Sequence, residues 1–424
     1  MAREGGRRST RCASARRLPA GWSGCRGHLA CHVTHGVLNS RLPVNCTPTR
    51  GFVSQPGYLL LEDGRSFPGD MIGAPGETLG EAVFNTSMTG YQEVLTDPSY
   101  AGQIVAMTYP LIGNYGVTAE DAESAHIQVA GFIMREASSA YSNWRASGSL
   151  QKYLEQAGVV ALEGVDTRAL TRHLRSAGAM RAAIAPTSVP EPDLMGRIQA
   201  HPHMEGLDLT CGVSTEEAYD VKPVGDRRFR VLAYDFGVKR HSLKLLAERG
   251  CEITTLPSTT SAPEILEQEF DGFFVSNGPG DPAAVEHALE TIRSLGERGT
   301  PVFGICLGHQ LVARAFGGST FKLLYGHRAG NHPVRRMRDG AVEITAQNHG
   351  FAVRRGSTPD AVDGAPSLRV THVNLNDHTM EGLEHRELPV FSVQYHPEGA
   401  PGPHDSRYLF DQFAAAMAGR QRNP

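Results

Sequence analysis

The 424-residue sequence predicts an α/β protein. Its carboxy-terminal part is expected to be a doubly wound, mostly parallel sheet, preceded by a smaller β-rich α/β domain. From residue 229 onward, short apolar strands alternate with segments of helical periodicity, which is typical of parallel βαβ units. Residues 57–185 instead hold glycine-rich and β-branched stretches with only two helical segments. No apolar run reaches the ~18 residues of a membrane span, and we expect neither membrane nor nucleic acid as a partner.

The chain divides into four predicted segments. Residues 1–57 hold nine Arg, no Lys and one acidic residue, so we assign residues 1–56 to a disordered leader. We expect an amino-terminal domain at 57–185, a Pro- and Gly-rich linker at 186–228 and a carboxy-terminal domain at 229–420. The leader lacks the apolar segment of a secretory signal, which favours a cytoplasmic location. Import into an organelle and an over-long reading frame are the open alternatives.

The cysteines point to a reducing compartment. Only Cys211, Cys251 and Cys306 lie outside the leader, too few and too scattered for a disulfide framework. The leader cysteines Cys25 and Cys31 lie near histidines, but their spacing fits no zinc pattern well. We therefore expect no metal site.

The amino-terminal domain is predicted to begin with a hairpin. Residues 58–67 alternate around Asp63-Gly64, a strong two-residue turn signal. Asp166 is a suitable N-cap for the second of two helices. Strand-like segments are expected within 80–95, 103–109 and 129–134, and helices at 149–157 and 166–176.

The carboxy-terminal domain is predicted to carry its ligands where its parallel strands end, because those ends meet at one edge of the sheet. Strands are expected at 229–235, 252–256, 271–277 and 301–305, and helices at 239–249, 262–269, 282–298 and 307–316. A strand-rich region at 319–397 and a closing amphipathic helix at 407–417 complete the domain.

Cys306 occupies the centre of Gly304-Ile-Cys-Leu-Gly308, between a predicted strand and a predicted helix. This is the cysteine version of the G-x-S-x-G nucleophile elbow. Flanking glycines let strand and helix cross closely, and a helix N-terminus favours the reactive thiolate. A buried structural cysteine is the alternative, and the paired glycines disfavour it.

A glycine-rich loop, Asn277-Gly-Pro-Gly-Asp-Pro282, follows the third strand of the predicted sheet. With Ala283 it formally matches the dinucleotide fingerprint G-x-G-x-x-A. That fingerprint belongs to the first strand of a βαβ unit, with an acidic residue near the end of the next strand, whereas here the next strand ends at Cys306. Backbone N–H groups that serve as oxyanion donors are the favoured interpretation.

A cysteine nucleophile needs a base, and the base needs a group that orients it. His396 ends the apolar alternation 390–395, and Glu398 follows two residues later. His309, on the elbow helix, is the rival base. Most of the other histidines of this domain, a group that includes His327 and His349, are expected to be solvated or satisfied in loops.

Two motifs together resemble the class I glutamine amidotransferases. They are Gly304-Ile-Cys-Leu-Gly-His-Gln310 and Tyr395-His-Pro-Glu398. The resemblance covers about residues 229–418. It implies Cys306 as nucleophile, His396 as base and Glu398 as its orienting group, with oxyanion donors at Leu307 and Gly280.

The amino-terminal domain is similar to that of the carbamoyl phosphate synthetase small-chain family. The segments Phe84-Asn-Thr-Ser-Met-Thr-Gly-Tyr-Gln-Glu93 and Leu95-Thr-Asp-Pro-Ser-Tyr100 carry this similarity. It implies a glutaminase subunit that passes ammonia to a large synthetase chain for arginine and pyrimidine synthesis. By this resemblance, glutamine would be held by Ser99, Gly278, Gly280, Leu307, Gln310, Asn348, Gly350 and Phe351.

The sequence contains no Gly-Lys pair and hence no G-K-[ST] phosphate loop. We expect no cofactor in this chain, with ATP and Mg²⁺ used by the large chain that the resemblance implies. Three other functions are weighed against this one: an amidotransferase serving another synthetase, a catalytically silent binding module, and a dinucleotide-binding oxidoreductase.

Overall fold

The computed structural model describes residues 55–422. The predicted disordered leader, 1–56, lies outside this range except for its last two residues, which begin the first strand. No helix among residues 55–422 is long and apolar enough to cross a bilayer.

The amino-terminal part is built on a closed barrel. The strands of this part are β1 (Gln55–Leu61), β2 (Ser66–Gly73), β3 (Thr78–Asn85), β4 (Gln103–Met107), β5 (Leu111–Ile112), β6 (Gly131–Ile133), β7 (Glu136–Ala137), β8 (Val160–Glu163) and β9 (Met180–Pro186). The barrel order is β1-β2-β8-β6-β4-β3-β9, and β5 pairs with β7 separately. Strand β9 closes the barrel because it pairs antiparallel with both β1 and β3. The sequence predicted strands at the positions of β1, β2, β3, β4 and β6, but it predicted neither β8 and β9 nor this closure.

The predicted hairpin is confirmed. Leu59 pairs with Phe67 across β1 and β2, and Gly64 in the connecting turn has φ 87°, a conformation that favours glycine. The helices of this part are α1 (Tyr91–Thr96), α2 (Leu150–Gln156) and α3 (Thr167–Ala177). Asp166 caps α3 as predicted, since its carboxylate accepts a hydrogen bond from the Ala169 amide.

The strand-like interpretation of 80–95 is wrong for its second half, where α1 forms. Gly90 at φ 84° ends the extended backbone just before this helix. Tyr91, Val94 and Leu95 are all buried, and their spacing fits one face of a helix better than alternate positions of a strand.

The residues predicted as a linker, 186–228, contain α4 (Glu191–Ala200) and β10 (Tyr219–Val221). Leu194 and Ile198, four residues apart on one face of α4, are buried against Tyr58 and Leu60 of β1. Strand β10 joins an edge of the carboxy-terminal sheet. This segment is therefore folded onto both of its neighbours.

The carboxy-terminal part is a ten-stranded sheet flanked by helices. Its other strands are β11 (Phe229–Asp235), β12 (Cys251–Pro257), β13 (Gly272–Val275), β14 (Val302–Ile305), β15 (Thr320–Arg336), β16 (Val342–Val353), β17 (Leu368–Asn374), β18 (Met380–His385) and β19 (Val390–Val393). Its helices are α5 (Arg240–Ala247), α6 (Ala262–Leu266), α7 (Leu289–Glu297), α8 (Leu307–Ala315) and α9 (Tyr408–Arg422).

The predicted doubly wound arrangement is confirmed in the middle of this sheet. The strand order is β10-β12-β11-β13-β14-β19-β18-β17-β15-β16, and the five strands from β12 to β19 run parallel. The strands beyond them pair antiparallel, so the whole sheet is mixed. Its carboxyl edge brings the ends of β11, β13, β14 and β19 together.

Apolar residues cover both faces of the parallel strands. In β11, Leu232 and Tyr234 pack with residues of α7 and α8, whereas Val231 and Ala233 pack with residues of α5 and α9. This alternation follows from the period of two along a strand. A doubly wound sheet requires it, because helices cover both faces.

One predicted helix, 282–298, is interrupted. Two short 3₁₀ turns, Pro282–Ala284 and Glu286–Ala288, precede α7. Asp281 caps the first turn by accepting a hydrogen bond from the Ala283 amide. Val285 then departs from helical geometry with ψ 62°, and this prevents one continuous helix.

Candidate active site

Cys306 lies on a sharp turn between β14 and α8. Its backbone has φ 54° and ψ −105°, a region that residues other than glycine rarely adopt. A Cβ atom on Gly308 would lie 2.2 Å from the carbonyl oxygen of Val275, and one on Gly304 would lie 2.7 Å from that of Gly308. The glycines therefore permit the close crossing of strand and helix, and the predicted elbow is confirmed.

Cys306 is almost completely buried, but it lines a pocket. Only 2% of the residue is exposed. Its thiol donates to the carbonyl oxygen of Asn348 at 3.4 Å, and its amide donates to the carbonyl oxygen of Val393 in β19. Because His396 follows Val393 by three residues, the elbow lies beside the segment that carries the predicted base.

His396 and Glu398 form the predicted pair. Nδ1 of His396 lies 2.7 Å from Oε1 of Glu398, and both side chains are buried. With its Nδ1–H donated to the carboxylate, the imidazole can use Nε2 toward a substrate. Nε2 has no hydrogen-bond partner among residues 55–422.

The His396 imidazole is held in its protonated form. Burial and the nearby Lys239 cation both lower its pKa, but the Glu398 carboxylate and Cys306 outweigh them and raise it to about 10. A protonated imidazole whose Nε2 has no partner among the described residues can donate a proton to a leaving group.

A buried cation completes the pair, and the sequence did not identify it. Lys239 is only 2% exposed. Its Nζ lies 3.1 Å from Glu398 Oε1 and 3.4 Å from Asp97 Oδ2. Lys239 lowers the pKa of Glu398 against the opposing effect of burial, so this carboxylate stays ionised. Lys239 lies just beyond the carboxyl end of β11. Ligands were expected at this edge, because a doubly wound sheet binds them where its parallel strands end.

Asp97 brings the amino-terminal part into the site. Its carboxylate accepts hydrogen bonds from the Ser99 amide at 2.9 Å and from Nδ2 of Asn348 at 2.9 Å. The hydroxyl of Ser99 accepts a further bond from Nδ2 of Asn277, at 3.0 Å. The site is thus assembled from both parts of the chain.

A pocket of about 370 Å³, partly open to solvent, contains Cys306. Seven of the residues predicted to hold glutamine line it: Ser99, Gly278, Gly280, Gln310, Asn348, Gly350 and Phe351. Leu307 is not part of this lining, and its side chain packs in the core instead. The role predicted for Leu307 needs only its backbone N–H. The structure therefore gathers around one sulfur residues that lie far apart in the sequence.

His309, the rival base, is placed elsewhere. It is fully buried, and its Nδ1 lies 2.9 Å from the hydroxyl of Ser392. Burial lowers its pKa to about 3, so the ring stays neutral, and it does not line the pocket around Cys306. Its position is that of a packed core histidine.

The expectation that the histidines other than His396 and His309 are mostly solvated or satisfied in loops does not hold for His327 and His349. Both are buried in the long hairpin of β15 and β16, where they pair with each other. His327 Nε2 lies 2.8 Å from Asp377 Oδ2, and this carboxylate together with Glu381 raises the His327 pKa to about 9 despite burial. Single-residue patterns did not reveal them, because these strands carry polar residues on an inward face.

Comparison with known proteins gives matches over both parts of the chain. Residues 59–184 match the carbamoyl-phosphate synthase small chain domain, and residues 232–416 match class I glutamine amidotransferase.

Three relatives carry the name carbamoyl phosphate synthase small chain. Those from Syntrophotalea carbinolica, Synechococcus sp. and Chlorobaculum tepidum are each 51% identical to this chain. The alignments cover 85%, 87% and 85% of this chain and 97%, 95% and 98% of the relatives. The chain therefore belongs to the carbamoyl phosphate synthase small chain family of glutamine amidotransferases.

Proposed function

We propose that the Cys306 thiolate attacks the side-chain amide carbon of glutamine. The sulfur forms a bond to that carbon, and the carbonyl π electrons move onto oxygen to give a tetrahedral oxyanion. The observation that carries this proposal is that the strained Cys306 lines the pocket and that its amide bonds to Val393 of β19, three residues before the buried His396–Glu398 pair.

His396 is proposed to transfer the protons. When the tetrahedral intermediate collapses, the C–N bond breaks and the imidazolium donates a proton to the departing nitrogen, which leaves as ammonia. The neutral imidazole then takes a proton from water, which attacks the γ-glutamyl thioester. Glutamate and the thiolate are released, and His396 is again protonated. Glu398 keeps Nδ1 protonated and so keeps Nε2 available throughout.

The oxyanion is proposed to be held by the backbone N–H groups of Leu307 and Gly280. At the elbow, the amides on either side of Leu307 are already engaged, that of Cys306 with Val393 and that of Gly308 with Ser276. This favours the Leu307 amide as the donor next to the reacting carbon. Each such donor contributes about 3–4 kcal/mol to transition-state stabilisation.

The partner is proposed to be the large chain of carbamoyl phosphate synthase. It would take up the ammonia and use bicarbonate, ATP and Mg²⁺, while this chain uses no cofactor of its own. Direct transfer matters because ammonia released into water near pH 7 is mostly protonated and no longer nucleophilic. The product would serve arginine and pyrimidine synthesis in the cytoplasm, with the two chains forming a heterodimer.

Replacement of Cys306 by Ser tests this function. In the complex with the large chain, we expect Cys306→Ser to abolish carbamoyl phosphate synthesis from glutamine and to leave synthesis from added ammonia intact. The matched control is Cys251→Ser, because Cys251 is a buried cysteine at the start of β12 and does not line the pocket. Loss of both activities in Cys306→Ser, with a folded complex, would contradict the assignment.

A further inference from the structure

Charged residues lie in the same pocket as Cys306, and the mechanism above does not use them. Arg328 of β15 and Glu81 of β3 both line it. They are only 4% and 5% exposed. Burying a cation and an anion is costly unless partners compensate. Their placement in a pocket for a small polar substrate therefore needs a physical explanation.

The Arg328 guanidinium lies next to the segment predicted to hold glutamine. Its Nη1 donates to the carbonyl oxygen of Tyr325 at 2.7 Å, whereas Nε is buried and has no hydrogen-bond partner among residues 55–422. A Cβ atom on Gly350 would lie 3.4 Å from Nη2, so the guanidinium sits directly beside Gly350. A buried guanidinium with unused N–H groups is suited to a carboxylate ligand.

Hydrogen-bond acceptors occupy a neighbouring wall of the pocket. Glu81 and Gln103 pair directly across the parallel strands β3 and β4, and both residues line the pocket. Glu81 Oε1 accepts a bond from Nζ of Lys322 at 2.5 Å. Oε1 of Gln103 is buried without a partner among the described residues. A carboxylate next to an amide oxygen is suited to an ammonium group.

We propose that Arg328 binds the α-carboxylate of glutamine and that Glu81, with Gln103, binds its α-ammonium group. This inference rests on the proposed function and adds the basis of its substrate selectivity. A free amino acid carries both charges at one end and its amide at the other. Other primary amides, such as those of peptide side chains, lack these charges. They would leave Nε of Arg328 and Oε1 of Gln103 buried without a hydrogen-bond partner, which disfavours their binding.

The alternative is that Arg328 and Glu81 only hold the two parts of the chain together. Glu81 belongs to the barrel and Arg328 to the mixed sheet. Burial lowers the pKa of Arg328, and the Glu81 carboxylate opposes this by raising it. A purely structural pair would affect every substrate equally when it is disrupted. Recognition of the amino acid head group would affect only substrates that carry the corresponding charge.

The experiment compares three substrates in the full-length chain. They are glutamine, glutamine with its α-carboxylate converted to a neutral amide, and glutaramate, which lacks the α-amino group. We expect Arg328→Met to raise the KM for glutamine about 10- to 100-fold relative to that for the α-amide, the range that a charged hydrogen bond provides. Glu81→Gln should raise the KM for glutamine similarly relative to that for glutaramate. Analogues that turn over too slowly are scored by their inhibition constants.

Controls separate recognition from folding. Arg335→Met removes an exposed arginine from the same strand and should leave all three substrates unchanged. If Arg328→Met does not fold, Arg328→Lys supplies the same comparison, because lysine keeps the charge but lacks the planar guanidinium. Arg328→Lys should raise the KM for glutamine by a smaller factor than Arg328→Met. It should leave the KM for the α-amide unchanged.

Two failures can be told apart. If the unmodified chain hydrolyses no glutamine, the proposed function is wrong. If it does, but the Arg328 and Glu81 variants weaken all three substrates equally or none of them, only the head-group inference is overturned.

Discussion

Nζ of Lys239 lies 3.1 Å from Oε1 of Glu398, the same carboxylate oxygen that accepts the Nδ1–H of His396 at 2.7 Å. All three side chains are buried. The lysine therefore acts on the catalytic imidazole through Glu398: it keeps the carboxylate ionised, and the carboxylate keeps the ring charged and oriented. The orienting group of this site is thus an ion pair, with Asp97 as the second anion beside the lysine.

Replacement of Lys239 by Met should destabilise the fold and lower the glutaminase kcat. Glu398 and Asp97 would lose their shared buried cation, and breaking such a pair costs about 3–5 kcal/mol. Chemical denaturation and steady-state kinetics measure the two effects. Lys244→Met, which removes an exposed lysine from α5, the helix that begins directly after Lys239, should change neither. An unchanged unfolding free energy in Lys239→Met would contradict the role assigned to this cation.

The two candidate bases should differ sharply. His396→Asn removes the proposed proton donor and should lower kcat by about 10²- to 10⁴-fold. His309→Asn should retain most of the activity and lose mainly stability, because His309 is a neutral core residue bonded to Ser392. Glutaminase assays on both folded variants show which histidine is the catalytic base. Comparable losses of kcat would show that His309 participates in the chemistry.

Stability should depend on pH through His396. Its pKa is raised to about 10 from the ordinary value of 6.5. The folded state therefore binds this proton more tightly than the unfolded state. The resulting stabilisation is complete below about pH 6.5 and disappears as the pH rises through about 10. Unfolding free energies of the unmodified chain and of His396→Asn should converge over this range. A difference that stays constant or grows with pH would contradict the raised pKa.

The elbow glycine should be intolerant of a side chain. Gly308→Ala would place a methyl group 2.2 Å from the Val275 carbonyl oxygen, and such overpacking costs about 1–3 kcal/mol. The control is Gly196→Ala in the interior of α4, where a Cβ meets nothing within 4 Å. Alanine should stabilise that helix by about 0.5–1 kcal/mol. Thermal melting should move in opposite directions for the two variants, and equal shifts would refute the packing argument.

The local features of the site could be predicted from the sequence because each is encoded by neighbouring residues. The elbow needs glycines two residues before and after Cys306, and the base and its orienting group lie two residues apart at the end of β19. Alternation of strands and helices likewise predicted the parallel centre of the sheet. These signals operate over a few residues and need no knowledge of tertiary contacts.

The remaining features depend on contacts between distant segments. Asp97 and Lys239 meet only because the barrel packs against the carboxyl edge of the sheet, and no local pattern marks either residue as a buried ion. The barrel closure depends on β9 pairing with two strands that begin the domain. The buried histidines of β15 and β16 were missed for the same reason, since their acidic partners Asp377 and Glu381 lie farther along the chain.

The central claim is that Cys306 becomes covalently acylated by glutamine. Rapid acid quenching of the full-length chain during turnover, followed by mass spectrometry of its peptides, tests this directly. The Cys306 peptide is predicted to gain the mass of one γ-glutamyl group, and a Cys306→Ala variant should show neither this adduct nor hydrolysis. Steady hydrolysis of glutamine by Cys306→Ala, or an adduct on another residue, would contradict the account.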